Sequence, residues 1–104
     1  MMAKAFFNVM PAILSSVQVA GVKMTIRNPN HVPSLSGSLM LFDLESDDLL
    51  AVMDATYITA WRTGSMGAIA THLLAKTNYS SVGLVGLGNV GRAYLFLLIG
   101  SSGI

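Results

Sequence analysis

The sequence predicts an α/β chain, and three stretches carry that prediction. Val17 to Asn28 alternates with a period of two, Ala55 to about Lys76 follows a helical pattern without proline, and Ser81 to Ile99 reads as strand, glycine turn and helix. The chain has 104 residues, of which 53% are apolar and 11% charged. A chain of this length buries about 60–65% of its unfolded surface. So few charges cannot cover the remainder, and the composition predicts leftover apolar surface that calls for a partner. Six lysines and arginines against five acidic residues leave a net charge of +1, which is no basic field for nucleic acid or an anionic membrane. The absence of cysteine excludes a disulfide scaffold and a thiolate metal site. The longest strongly apolar run, Tyr94 to Ile99, falls far short of the roughly 20 residues that span a bilayer.

The start resembles a secretory signal in outline, with Lys4 ahead of Ala5-Phe6-Phe7 and Pro11-Ala12-Ile13-Leu14. Asn8 interrupts the apolar stretch and Pro11 sits where it should be helical, so a cytoplasmic chain is the expectation. In the first alternating segment Val22, Met24 and Ile26 share one face and Lys23, Thr25 and Arg27 the other. Lys23 and Thr25 then lie about 6.6 Å apart along the strand. Asn28 to Pro33, with two prolines and two asparagines beside His31, is a loop. Ser34 to Gly37 leads into a buried strand from Ser38 to Leu44, and Glu45 to Asp48 turns the chain into a returning strand from Leu49 to Met53.

Asp54 is placed to cap a helix by accepting a bond from a backbone N–H. Along that helix Ile58, Trp61, Ile69 and Leu73 form an apolar flank, and Ala60, Gly64, Gly67, Ala68 and Thr71 a stripe of small residues. Each helical glycine costs about 0.8–1.0 kcal/mol relative to alanine, so two of them imply the close approach of another backbone or a ligand. Thr77 to Ser80 is a loop, Ser81 to Val85 a short strand, and Arg92 to Ile99 a second helix.

Between that strand and helix, Gly86, Gly88 and Gly91 have the G-x-G-x-x-G spacing of a dinucleotide site. The first glycine allows the tight turn, the second lets a diphosphate approach the backbone, and the third lets helix and strand pack closely. The flanking strand and helix supply the context such a motif needs; a tight turn without a ligand is the competing reading. The complete fingerprint also asks for an acidic residue about 20 positions on, and Arg92 to Ile104 contains none. The sequence therefore reads as stopping inside a domain. His31 and His72, the two histidines, do not make a metal site without further ligands. Asp43, Glu45, Asp47 and Asp48 read as solvated turn residues, and the seven methionines as pliable core filling. Arg62 reads from spacing alone as a surface arginine or a ligand, and spacing does not choose between them.

Several runs resemble the ornithine cyclodeaminase and mu-crystallin family: Met10-Pro11-Ala12, Gly21-Val22-Lys23-Met24, Asn28-Pro29, Pro33-Ser34-Leu35-Ser36-Gly37, Leu41-Phe42-Asp43, and above all Met53-Asp54-Ala55-Thr56-Tyr57-Ile58-Thr59-Ala60-Trp61-Arg62-Thr63-Gly64. The resemblance implies an α/β dimerisation domain followed by a Rossmann domain, acting with NAD(P) on amino acids or cyclic imines. It implies that Lys23 and Arg62 bind a substrate carboxylate, which suits a planar guanidinium fork and a second cation. It places Ser34 near the cofactor, with Gly86, Gly88, Asn89, Val90 and Gly91 in its loop. The chain departs from the family pattern in a shorter loop between Pro29 and Pro33, and in Asn89-Val90-Gly91 where the family usually has x-Gln-Ala.

Expected domains are 1–76, a partial substrate-binding and dimerisation domain, and 81–104, the truncated first β-α of a Rossmann domain. An upstream arginine, the catalytic aspartate and the acidic ribose-binding residue of the family would lie outside the sequence, so no catalytic residue is assigned within it. The expectation is a partial ornithine cyclodeaminase-like protein, inactive alone, that forms a homo-oligomer or joins a complementing C-terminal chain. The alternative is a structural fragment that keeps only the dimerisation surface.

Overall fold

The computed structural model describes residues 5–102. Lys4 of the signal-like start, and Gly103 and Ile104 of the expected second domain, lie outside the described residues. The chain divides into two compact units, the first reaching Thr56 and the second beginning at Tyr57.

The first unit is a four-stranded antiparallel meander in the order β1 (Phe6–Leu14), β2 (Val19–Arg27), β3 (Leu35–Asp43) and β4 (Leu49–Asp54). β2 and β4 fall where alternation and the returning segment place them. β1 occupies the stretch whose outline resembles a signal. Pro11 is compatible with it because β1 is an edge strand, where a missing ladder N–H is tolerated. A short 3-10 turn, Ser15–Val17, joins β1 to β2. It ends on Gln18 in the left-handed region at φ 52°, whose side-chain Nε2 donates to the Ser15 carbonyl at 2.8 Å.

The β2–β3 connection is closed by Asn28 N–H donating to the Ser34 carbonyl at 2.8 Å. Inside it, the Asn28 side chain accepts from Asn30 N–H at 3.0 Å, the local turn that asparagine favours. In the β3–β4 turn, Asp43 Oδ1 accepts from the N–H groups of Glu45 and Ser46 at 2.8 and 2.9 Å. Leu41 pairs with Ala51 and Phe42 with Leu49, which leaves Leu50 as the extra residue of a bulge.

The sheet hands over to the helix through a compact set of bonds. Ala55 N–H donates to the Gly37 carbonyl at 2.8 Å, and Gly37 N–H donates to Thr56 Oγ1 at 3.2 Å. Asp54 accepts the Thr56 N–H at 2.9 Å and its hydroxyl at 3.1 Å, as its capping position foretells. A Cβ on Gly37 would stand 2.9 Å from the Met24 carbonyl oxygen and 3.2 Å from Thr25 Cγ2, so only glycine fits this crossing. Thr25 beside it is the buried residue of β2.

The second unit pairs α1 (Thr56–Leu74), apart from its first residue, with α2 (Asn89–Ser102). The stripe of small residues is the contact between them. A Cβ on Gly64 would meet the Tyr94 nitrogen at 2.6 Å and Ala93 Cβ at 2.9 Å, and one on Gly67 would meet the Tyr94 ring at 2.9 Å. Ala68, Ala93 and Leu98 are buried. The large residues of the expected apolar flank are not the core: Ile69 and Leu73 are 58% and 76% exposed.

Residues 81–85 form no strand, contrary to the sequence expectation. A parallel strand lives on ladder bonds to a neighbour, and among the described residues none pairs with this segment. The helix after it begins at Asn89, three residues earlier than the pattern indicates.

Candidate functional site

Lys23 sits in the middle of β2, paired with Met10 of β1 and Leu39 of β3. Alternation puts it on the same face as Gly21 and Thr25. It borders an open cavity of about 330 Å³ with Met10, Leu14, Leu39 and Leu41, and it is the one charged residue among the described residues lining that cavity. A half-buried lysine bordering an apolar hollow is suited to a small anion with an apolar body. Ser34 stands at the base of the β2–β3 loop, exposed, with its carbonyl engaged by Asn28.

On the opposite face a second cavity of about 280 Å³ lies among Phe7, Met24, Ile26, Ser36, Ser38 and Asp54. The sequence carries no motif for it. Asp43, in the turn beyond, has its carboxyl held below the usual carboxylate range, chiefly by the Ser46 N–H and then by the Glu45 N–H.

In the second unit Arg62 is exposed on α1, and its Nη1 contacts Met66 Sδ one turn later at 3.6 Å. His72 Nε2 lies 3.0 Å from Ser101 Oγ, which places it on the outer rim of the helix pair. His31 is on the exposed β2–β3 loop of the other unit. Tyr57, Trp61 and Phe96 form an aromatic row, with ring centroids 5.4 Å apart for the first pair and 5.3 Å for the second.

The glycine turn precedes α2 directly, without the strand its motif calls for. Gly86 has φ +96°, a conformation that L side chains rarely adopt. A Cβ on Gly91 would collide with the Gly86 carbonyl oxygen, so the third glycine lets the helix start fold back on the turn. A Cβ on Gly88 would meet nothing within 4 Å, so the backbone there lies open to a ligand. Arg92 N–H donates to the Gly88 carbonyl at 2.9 Å, the first bond of α2. Gly88 therefore stands at the capping position without a side-chain acceptor, and the N–H groups of the first turn remain available to an anion. Asn89 and Val90 are both exposed there.

These features define an α/β chain with a cation at an apolar hollow in its sheet and, separately, a glycine turn that leads into a helix. The chain belongs to the ornithine cyclodeaminase/mu-crystallin family, whose model matches residues 1–103. It is 37% identical over 89 residues to the ketimine reductase mu-crystallin of Mus musculus, covering 82% of this chain and 28% of that protein. Among solved structures, an archaeal alanine dehydrogenase dimer with bound NAD superposes with TM-score 0.84 at 32% identity, covering 100% of this chain and 36% of the other. A Δ1-pyrroline-2-carboxylate reductase from Thermococcus litoralis, in complex with NADH and L-proline, gives 0.85 at 30% identity, covering 92% and 31%. The chain thus spans about a third of the length of the relatives it matches. Among the described residues no helix is long and apolar enough to cross a membrane.

Proposed function

We propose that this chain supplies the substrate-carboxylate and diphosphate-binding part of a cytoplasmic, NAD(P)-dependent oxidoreductase or ammonia-lyase acting on an amino acid or cyclic imine. The observation that carries the reading is the glycine turn, with Gly86 at positive φ and Gly88 open to a ligand. The backbone at Gly86, Gly88, Asn89, Val90 and Gly91 would cradle the dinucleotide, and the family resemblance assigns Ser34 to the cofactor as well. When bound, the nicotinamide supplies hydride transfer to or from the carbon that bears the nitrogen. Lys23 and, in the other unit, Arg62 are each assigned to a substrate carboxylate by the family resemblance, and the apolar lining beside Lys23 suits a substrate's carbon skeleton. Residues 1–76 serve as the substrate-binding and dimerisation part and 81–104 as the start of the dinucleotide domain. No acidic residue follows Asp54 among these residues, so none of them offers the ribose a carboxylate after the glycine turn, and on this reading the chain is inactive alone.

The test is a titration of the chain with L-ornithine and L-proline, followed by NMR, in wild type, Lys23→Ala and Arg62→Ala. A charge-assisted bond contributes about 1.5–3 kcal/mol, so each variant should bind at least tenfold more weakly while keeping its helix content. Unchanged affinity overturns the carboxylate assignment. Ornithine turnover, or NAD(P)H consumption with a cyclic imine, above the Lys23→Ala control overturns inactivity.

A second reading, a dimerisation module without catalysis, is favoured by one observation. Phe7, Val9, Ile13, Ile26 and Val52 are each 50% or more exposed, and they lie on one face of the sheet.

A further inference from the structure

We propose that Arg92 is the diphosphate-facing cation of the glycine turn: it braces the turn through the Leu87 carbonyl and offers its remaining N–H groups to the dinucleotide's diphosphate. This rests on the dinucleotide reading of that turn.

Arg92 Nε donates to the Leu87 carbonyl oxygen at 3.2 Å, so its guanidinium lies against the turn between the first and second glycines. A guanidinium carries five N–H groups in a planar fork, and Leu87 takes one of them. The same residue's backbone N–H makes the first bond of α2, to Gly88. One residue thus ties both ends of the Leu87–Gly88 segment, where the backbone lies open.

The position of the charge is the second observation. The first turn of a helix favours acidic side chains and disfavours cations, because the helix dipole is positive there. α2 has no acidic residue in that turn and places an arginine at its end. Nothing nearby in sequence offsets it. The second unit has Arg62, Lys76 and Arg92 and not one Asp or Glu, whereas the first unit holds all five acidic residues against three cations. The overall charge of +1 conceals a unit at +3 and a unit at −2. Within its own unit Arg92 thus has no acidic residue to offset it, and the complement of a cation beside a helix N-terminus is an anion. Arginine suits phosphate through its bidentate geometry and cannot shed its charge.

The experiment titrates the 104-residue chain with NADH, followed by ligand fluorescence, at several salt concentrations in wild type, Arg92→Met and Arg92→Lys. Adenosine, which lacks phosphate and the fluorescent dihydronicotinamide, is the control ligand and is followed by NMR, and circular dichroism checks the fold. Arg92→Met should weaken NADH binding at least tenfold and flatten its salt dependence, while adenosine binding stays unchanged. Arg92→Lys should recover part of the affinity and most of the salt dependence. NADH affinity unchanged in Arg92→Met overturns the role of Arg92 and leaves the dinucleotide reading standing. Equal weakening in both variants with the wild-type salt dependence makes Arg92 a structural brace only, and also overturns the proposal. Absence of NADH binding by the wild type overturns the dinucleotide reading, and Arg92's role with it.

Discussion

The hydroxyl of Thr71 and the phenol of Tyr94 stand 3.0 Å apart and join α1 to α2. Thr71 gives its single hydrogen to the Gly67 carbonyl at 2.9 Å, so the tyrosine is the donor. The bond continues a line along which the Tyr94 ring covers Gly67 and its backbone nitrogen faces Gly64. Small residues on α1 are therefore the seat of α2, and the glycine penalty is offset by close approach of the two helices.

Gly64→Ala should destabilise the chain although alanine is the better helix former. The added Cβ would lie 2.6 Å from a backbone nitrogen and 2.8 Å from a backbone carbon, neither of which can swing aside. Overpacking costs about 1–3 kcal/mol, against a propensity gain of about 1 kcal/mol, so a net loss of up to about 2 kcal/mol is expected, near the upper end because the clash is with backbone. Gly100→Ala, in α2, meets nothing within 4 Å and should raise stability by up to about 1 kcal/mol. Urea midpoints of the two variants check this. A stabilised Gly64→Ala would mean that the helices do not meet there.

How far the fold was legible follows from the kind of signal each element carries. β2 shows in strict alternation around Lys23, and the β3–β4 hairpin in four polar residues between apolar runs. Asp54 announces the helix start because a capping carboxylate acts over two residues. β1 was hidden by Asn8 and Pro11, since a proline on an edge strand looks locally like a break. Ser81 to Val85 misled in the opposite sense: its composition is that of a strand, but strand formation depends on a neighbour. At the candidate site, the glycines were legible through spacing. Arg92 escaped notice because a total charge hides its distribution along the chain.

The β3–β4 turn should make stability depend on acid through Asp43. Its carboxyl is held below the ordinary value of about 3.9 by the N–H groups of Ser46 and Glu45, in that order. A depressed folded pKa contributes stability that is complete above the unfolded pKa and is lost as pH falls through the folded one. Wild type should therefore exceed Asp43→Asn in urea midpoint at pH 6, and the gap should close as pH drops below about 4. A pH-independent gap between the two proteins would show that the ionised carboxylate contributes nothing to the turn.

Self-association through the sheet is the remaining expectation, and the helices narrow where it can occur. The glycine stripe on α1 is occupied by α2, which removes it as a surface for a second chain. One surface still open to a second chain is the sheet face away from Lys23, where Phe7, Val9 and Ile13 of β1 are 58%, 53% and 65% exposed and Val52 of β4 is 62% exposed. Cross-strand pairing carries this apolar surface across the sheet, since Phe7 pairs with Ile26 and Val52 with Met40. Exposed apolar patches of more than a few hundred Å² mark interfaces or aggregation sites. Covering a residue of this size stabilises by about 1.5–3 kcal/mol, so Ile13→Lys or Val52→Lys should weaken association about tenfold or more. Sedimentation velocity over a dilution series reads the outcome, with a mass that falls on dilution in wild type and sooner in the variants. A wild type that stays monomeric at every concentration would show that solvent tolerates this face as it stands, and that the low charge content of the chain demands no partner.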